Sequence, residues 1–245
     1  MIYYAKKSQV SYGEVIGIIM IDTYAPFIPG DVGNAYTFSF PVRYEVVKGL
    51  TVSKIVNLDE AYYKPILEAG KNLVKNGAKA ITADCGYMAM FQKRLMKDLG
   101  VPVFLTSLLQ LHFLKHLISD EEKIGIICAN SKTLDDKLLN SINIDSSSFP
   151  IVIKGLENNK HFYDFAIQET GELHFEQVKE EVVHTALELQ NENPSMKILL
   201  LECSLLPPYA KAVQEETGLP VFDYTTMINY VYNSLYRTEF TKGIL

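Results

Sequence analysis

The apolar positions of this chain fall in short blocks that alternate between two kinds of pattern. Val15-Ile16-Gly17-Ile18-Ile19-Met20-Ile21 is a continuous apolar run, the signature of a strand buried on both faces of a parallel sheet. A Pro- and Gly-rich stretch, Asp22 to Pro41, leads to a second predicted strand, Val42 to Val47. Asp59 to Asn76 reads as a helix with Asp59 as N-cap, Pro65 in a first turn or at a kink, and Gly77 as the stop. Lys79 to Asp84 (strand), Gly86 to Leu99 (helix), Val101 to Leu105 (strand) and Ser107 to Ile118 (helix) follow. The second half repeats the scheme, with strands at Lys123 to Ala129, Ile151 to Lys154, Lys197 to Glu202 and Leu219 to Phe222. Between them lie predicted helices at Leu134 to Ser141, Phe175 to Asn191 and Pro207 to Glu216. In the longest, Phe175, Val178, Val182, Ala186 and Leu189 keep helical spacing. Such alternation predicts an α/β fold, parallel strands with helices on both faces.

The repetition extends to single residues. Asp84-Cys85 and Glu202-Cys203 lie 118 positions apart, and at that offset Lys93 meets Lys211 and Gly100-Val101-Pro102-Val103-Phe104 meets Gly218-Leu219-Pro220-Val221-Phe222. Ile16-Gly17-Ile18-Ile19 matches Ile124-Gly125-Ile126-Ile127 at an offset of 108. The chain therefore reads as a duplicated lobe. The expected architecture is two pseudo-symmetric, flavodoxin-like lobes, residues 1–118 and 119–222, with the active site between them.

Composition narrows the function. The 245 residues carry a net charge of −6, with no basic surplus to neutralise phosphates, so nucleic acid and acidic membrane surfaces are not expected partners. The polar N-terminal stretch lacks the apolar segment of a secretory signal, and no apolar run approaches a membrane span. Three cysteines argue against a disulfide framework and for a reducing, cytoplasmic setting. There a Cys is either a small hydrophobe or a reagent. Cys128, inside an apolar strand, reads as core. No P-loop or G-x-G-x-x-G fingerprint appears, so no nucleotide cofactor is expected. His112 and His116 share a helix face, but nothing completes a zinc set, so no metal is expected.

Cys85 and Cys203 each stand where a predicted strand hands over to a helix, the end of an α/β sheet where ligands bind. Unpaired N–H groups at a helix start favour a thiolate and can hold a carboxylate. In two lobes related by an approximate twofold axis, the thiols would face each other. Proton removal on one face of a carbon and return on the other requires two such groups. Asp84 and Glu202, one residue earlier, should point to the opposite side of their strands.

Thr82-Ala83-Asp84-Cys85-Gly86-Tyr87 and Leu201-Glu202-Cys203-Ser204 resemble the paired catalytic-cysteine motifs of the aspartate/glutamate/hydantoin racemase superfamily. Pro29-Gly30-Asp31-Val32-Gly33-Asn34, Phe40-Pro41-Val42, Ala129-Asn130-Ser131-Lys132-Thr133-Leu134 and Glu202-Cys203-Ser204-Leu205-Leu206-Pro207-Pro208-Tyr209 look closer to the branch that holds the algal dimethylsulfoniopropionate lyases. The resemblance implies a pseudo-symmetric two-lobe fold, no cofactor, and a Cys pair acting next to a carboxylate. It also implies that the last helix, about 223–245, packs back on the first lobe. Amino-acid racemases of the superfamily often carry Asn-Thr after the first Cys, where this chain has Gly86-Tyr87.

Position suggests further roles. Gly86, Tyr87 and Ser204 flank the thiols. Asp22 and Asn130, paired by the offset of 108, would end equivalent strands at the cleft, Asp22 orienting a thiol or ammonium group and Asn130, Ser131 and Thr133 binding a carboxylate. Thr106, Ser107 and Tyr224 are candidate pocket residues. The loop 29–34 could close over the site or form a rigid turn. The tyrosines Tyr224, Tyr230, Tyr232 and Tyr236 suit a packed helix or a homo-oligomer interface. Three functions follow: a cofactor-independent racemase or epimerase of a small carboxylate such as an amino acid; a lyase that takes an α-proton and expels a β-substituent; and a non-catalytic carboxylate binder.

Overall fold

A computed structural model describes residues 1–57 and 60–237. Two parallel sheets carry the fold. In the first, β1 (Ile16–Met20) is flanked by β2 (Val42–Val46) and β3 (Ala80–Ala83). Val103 adds a single parallel bridge to Ile81 at the outer edge of β3. In the second, the order is β5 (Ile151–Gly155), β4 (Lys123–Cys128), β6 (Met196–Leu201) and β7 (Val221–Phe222). The register repeats along with the order. Ile16 pairs with Val42 and Ala80, and Ile124 with Ile151 and Ile198. The internal similarity of the sequence is therefore a similarity of hydrogen-bonded position.

β1, and β4 after the exposed Lys123, are apolar because both of their faces are covered. Ile19 of β1, with Ile21 just past its end, joins a central cluster that also takes Ile124, Ile126 and Cys128 from β4. The two sheets thus share one continuous core across the lobe boundary. The other face of β1, with Ile16, Ile18 and Met20, is covered by Tyr224, Met227 and Ile228 of the helix Tyr224–Leu235. The chain's last described helix thereby lies on the first sheet. Asp223 starts it with a capping box, its side chain accepting from the Thr226 N–H while the Thr226 side chain accepts from the Asp223 N–H. No helix among the described residues is long and apolar enough to cross a membrane.

The helical elements differ from the sequence pattern in ways that matter for the site. The first long helix is Tyr63–Lys75, entered through a 3-10 turn at Glu60–Tyr62 with Pro65 in its first turn; the expected cap, Asp59, lies outside the described residues. Gly86–Phe91 is 3-10 before Gln92–Leu99 becomes α-helical, and Pro207–Tyr209 likewise precedes Ala210–Thr217. Both helices close on a glycine with φ 67°, Gly100 and Gly218, a left-handed conformation that costs a side-chain-bearing residue energy. The elements not evident in the sequence pattern include the helix Val52–Val56 and the π-helical turn Tyr163–Ile167.

Candidate active site

β3 and β6 end in matched acid–cysteine pairs. The Asp84 carboxylate turns sideways and accepts from the Ile21 N–H just past β1, at 2.9 Å. Glu202 does the same with the Ala129 N–H just past β4. Each acid thus closes the backbone of the neighbouring strand, which leaves the following cysteine to face the opposite way. The two motifs also lock onto each other. The Ser204 hydroxyl donates to the Asp84 carbonyl. Glu202 Oε1 lies so close to Gly86 that a Cβ built there would sit 1.7 Å away.

Cys85 and Cys203 consequently line one cleft, with about 500 Å³ of empty space counting its open mouth. Its wall is mostly apolar, from Ile21, Phe27, Val52, Ile55 and Leu205 among others; Thr23, Tyr87 and Ser204 also line it. Tyr87 belongs to the first lobe, yet its hydroxyl donates to the Asn130 carbonyl at 3.1 Å and accepts from the Asn130 N–H at 2.9 Å. Its ring is a strut across the floor.

The electrostatics are dominated by burial. Each thiol has a backbone donor two residues on, the Tyr87 N–H for Cys85 and the Leu205 N–H for Cys203. These donors favour the thiolate, as the strand-to-helix handover suggested. Enclosure outweighs them and pushes both thiols up, with the negative charges of Asp84 and Glu202 acting in the same direction. Asp84 and Glu202 are themselves raised to about 8 by desolvation. At neutral pH these acids are therefore largely protonated and do not repel a thiolate at full strength. Cys203 also disfavours charge on Cys85, so ionisation of one thiol opposes ionisation of the other.

No family model matches the chain. Dimethylsulfoniopropionate lyase from Durusdinium sp. clade D is 32% identical over 214 residues, which are 85% of this chain and 70% of that protein. The chain belongs to the dimethylsulfoniopropionate lyase family. Further dimethylsulfoniopropionate lyases of Emiliania huxleyi are 28–29% identical, and the chain spans 48–65% of their length. Among solved structures, unliganded arylmalonate decarboxylase superposes with a TM-score of 0.60 at 16% identity over 94% of this chain and 96% of that one. The aspartate racemase of Picrophilus torridus gives 0.54 at 16% identity over 94% and 97%. The fold of this family member is that of the aspartate/glutamate racemase superfamily.

Within this dimethylsulfoniopropionate lyase relative, several sequence-selected residues lie away from the cleft. Asp22 is exposed and accepts from the Gly49 N–H at 2.7 Å, fixing the turn after β2. Asn130 caps its own turn through the Lys132 N–H, and Ser131 is tied to Glu157 by hydroxyl and N–H. Thr133 donates its N–H to the Asn130 carbonyl in the same turn. None of these lines the cleft. Thr106 is a buried cap for the Leu108 N–H. Ser107 donates to the Leu201 and Glu202 carbonyls at 3.1 and 3.2 Å, a bond between lobes. Tyr224 is buried with its hydroxyl on the Leu105 carbonyl. Matching positions in a repeat do not imply matching exposure; local turns consumed these polar groups. The His112 ring bonds the Ile142 carbonyl at 2.8 Å.

Apart from Thr23, the missed lining is chiefly apolar, including Val52, Ile55 and Val56 together with Ala166 and Ile167 of the π-helical turn. A π-turn is itself a frequent mark of a functional site, but it has no sequence signature. The loop 29–34 is a pinned turn on the second lobe. Val32 N–H reaches the Ser204 carbonyl at 3.5 Å, and Gly30, at φ +108°, packs on Pro208.

Proposed function

We propose that this protein is a cofactor-independent carbon–sulfur lyase that acts on a small carboxylate bearing a sulfonium group, of the dimethylsulfoniopropionate type. One observation carries the reading. The cleft between the two thiols is walled by apolar side chains and backed by buried acids, and none of the described residues lining it is Lys, Arg or His. Such a site suits a zwitterion with one cationic, alkyl-rich end. Apolar side chains pack the methyl groups, and a bound cation would draw the buried acids back toward their charged form. The carboxylate end is served by backbone N–H groups at the Cys85 and Cys203 turns rather than by a basic side chain.

In the proposed reaction a cysteine thiolate takes the proton on the carbon next to the carboxylate. The freed electron pair forms the Cα–Cβ double bond, and the Cβ–S bond breaks with its electrons on sulfur. Dimethyl sulfide leaves neutral and acrylate remains. The second thiol supplies a neutral hydrogen-bond donor in the cleft. The three cysteines are free, in keeping with a cytoplasmic setting as part of the same proposal.

The second reading is a racemase or epimerase. It is favoured by the matched environments of Cys85 and Cys203, each with a donor N–H two residues on. Proton NMR in deuterated water separates the two. With dimethylsulfoniopropionate, the lyase reading expects acrylate and dimethyl sulfide signals. Exchange at the α-carbon of an amino acid, with no product from the sulfonium compound, would replace it with the racemase reading.

A further inference from the structure

The turn docked on the segment after Cys203 carries a carboxyl that does not line the cleft and that neither the thiol chemistry nor the fold explains. Asp31 is 1% exposed. One of its oxygens accepts from the Ile28 N–H at 2.7 Å, and the other has no partner. The Tyr209 hydroxyl is likewise enclosed and without a partner. A buried unpaired polar atom opposes folding, and two together mark a place where stability has been given up. The turn that carries Asp31 is docked on the segment running from Cys203 to Tyr209, through Val32 on Ser204 and Gly30 on Pro208. Asp31 is accordingly one of the charges that act on both Cys203 and Tyr209. Those acting on Cys85 are Asp84, Glu202 and Cys203.

We propose that Asp31 is a positioning residue for Cys203: a carboxyl enclosed near the second thiol that must hold a proton before Cys203 can carry charge. Two anions in one water-free space repel strongly, so their ionisations are linked. The other titratable groups around Cys203 are Glu202 on its own strand, Asp84, Cys85 and Tyr87 from the first lobe, Cys128 on β4, Tyr209 and Tyr224. Asp84 and Glu202 are among the largest influences on both thiols, whereas Asp31 is among the largest on Cys203 only. It breaks the twofold symmetry of the cysteine pair and gives the two thiols unequal roles. Burial raises Asp31 to about 8. The carboxyl is therefore neutral at pH 7 and becomes an obstacle to the Cys203 thiolate as pH rises through that value.

The inference rests on Cys203 being a reactive group of the proposed lyase, but its test does not require turnover. Alkylation of Cys203 by iodoacetamide is followed against pH in protein carrying Cys85→Ser and Cys128→Ser. With Asp31 present, the rate should rise in two stages, held back above about pH 8. Asp31→Asn, which keeps an acceptor for the Ile28 N–H, should lessen that restraint, leaving the part due to Glu202 and Asp84. Alkylation near pH 9 should then be about tenfold faster, the effect of one pKa unit. Asp31→Ser serves as a second uncharged variant, and thermal melting confirms that each variant is folded. A single-stage curve with Asp31 in place, or unchanged rates in a folded uncharged variant, overturns the proposal. Linkage observed in a protein that does not consume dimethylsulfoniopropionate would instead keep the proposal about Asp31 and reject the lyase reading.

Discussion

At the scale of single residues, two positions decide whether the cysteines can work together. Gly86 is the first. Any side chain there would strike the Glu202 carboxylate, so the two acid–cysteine motifs could no longer lock. Gly86→Ala should cost about 1–3 kcal/mol, the usual penalty for overpacking, and should lower turnover more than it lowers the melting temperature. A folded, fully active Gly86→Ala protein would show that this contact is not required. The second test is the thiols themselves. Cys85→Ser and Cys203→Ser change size little but raise the pKa of the group greatly. If one cysteine is the base of an elimination, its serine variant should lose roughly 10²–10⁴ in rate, while the other variant keeps measurable product formation. Equal and complete loss in both, with α-proton exchange surviving in each, would match a two-base racemase.

At the scale of elements, the site depends on the loop between β1 and β2 reaching across to the second lobe. Glu169 stands at φ +55°, an uncommon conformation for a residue with a side chain. Its carboxylate accepts from the Thr23 hydroxyl at 2.5 Å and the Tyr24 N–H at 2.9 Å. Thr23 comes from the first lobe and lines the cleft, as do Ala166 and Ile167 just before Glu169. This clasp holds the two walls of the mouth together. Glu169→Ala should raise KM for the substrate about tenfold, equivalent to 1.4 kcal/mol of binding, with a smaller effect on kcat. Steady-state kinetics on the purified variant would check it, and an unchanged KM would show that the mouth holds without the clasp. Ser107→Ala tests the opposite end. Its hydroxyl ties the lobes without touching the cleft, so the loss should be about 1 kcal/mol of stability with turnover retained.

For the molecule as a whole, the three buried acids make stability depend on pH in an unusual direction. Asp31, Asp84 and Glu202 are each raised to about 8 by desolvation. Unfolding returns them to ordinary carboxylate values near 4. Between those limits the unfolded chain binds fewer protons than the folded one, so stability falls as pH rises. Their contribution is complete below about pH 4 and is lost by the time pH passes 8. The melting temperature should therefore decline from mildly acidic to mildly alkaline pH, and Asp84→Asn with Glu202→Gln should flatten the decline. Glu122, Asp145 and Glu188, at or near the surface and lowered by their hydrogen bonds, act at the acid end with the opposite sign. A melting temperature that rises steadily from pH 6 to 9 would mean that the acids are charged in the folded state.

The α/β class, the strands other than Val101 to Leu105 (reduced to the single bridge at Val103), the repeat and the acid–cysteine pairs were legible in the chain. Each depends on what a residue is and on its distance from residues like it. A run such as Ile16 to Met20 can only be buried on both sides, and Gly100 and Gly218 can only end helices where a left-handed turn is needed. Tertiary structure decided what surrounds the thiols. Ser107, Thr106 and Tyr224 look like pocket residues by position, but backbone carbonyls and N–H groups in reach of their side chains claimed them for structure. Val52, Ile55 and Ile167 look like core and became walls of the cleft, because an apolar side chain cannot reveal whether it faces protein or a vacancy. Asp31 reads as a turn residue until the docking of its loop on Ser204 and Pro208 encloses it near Cys203. Burial is a property of the assembled lobes, and it is burial that sets the charge on every acid and thiol in this site.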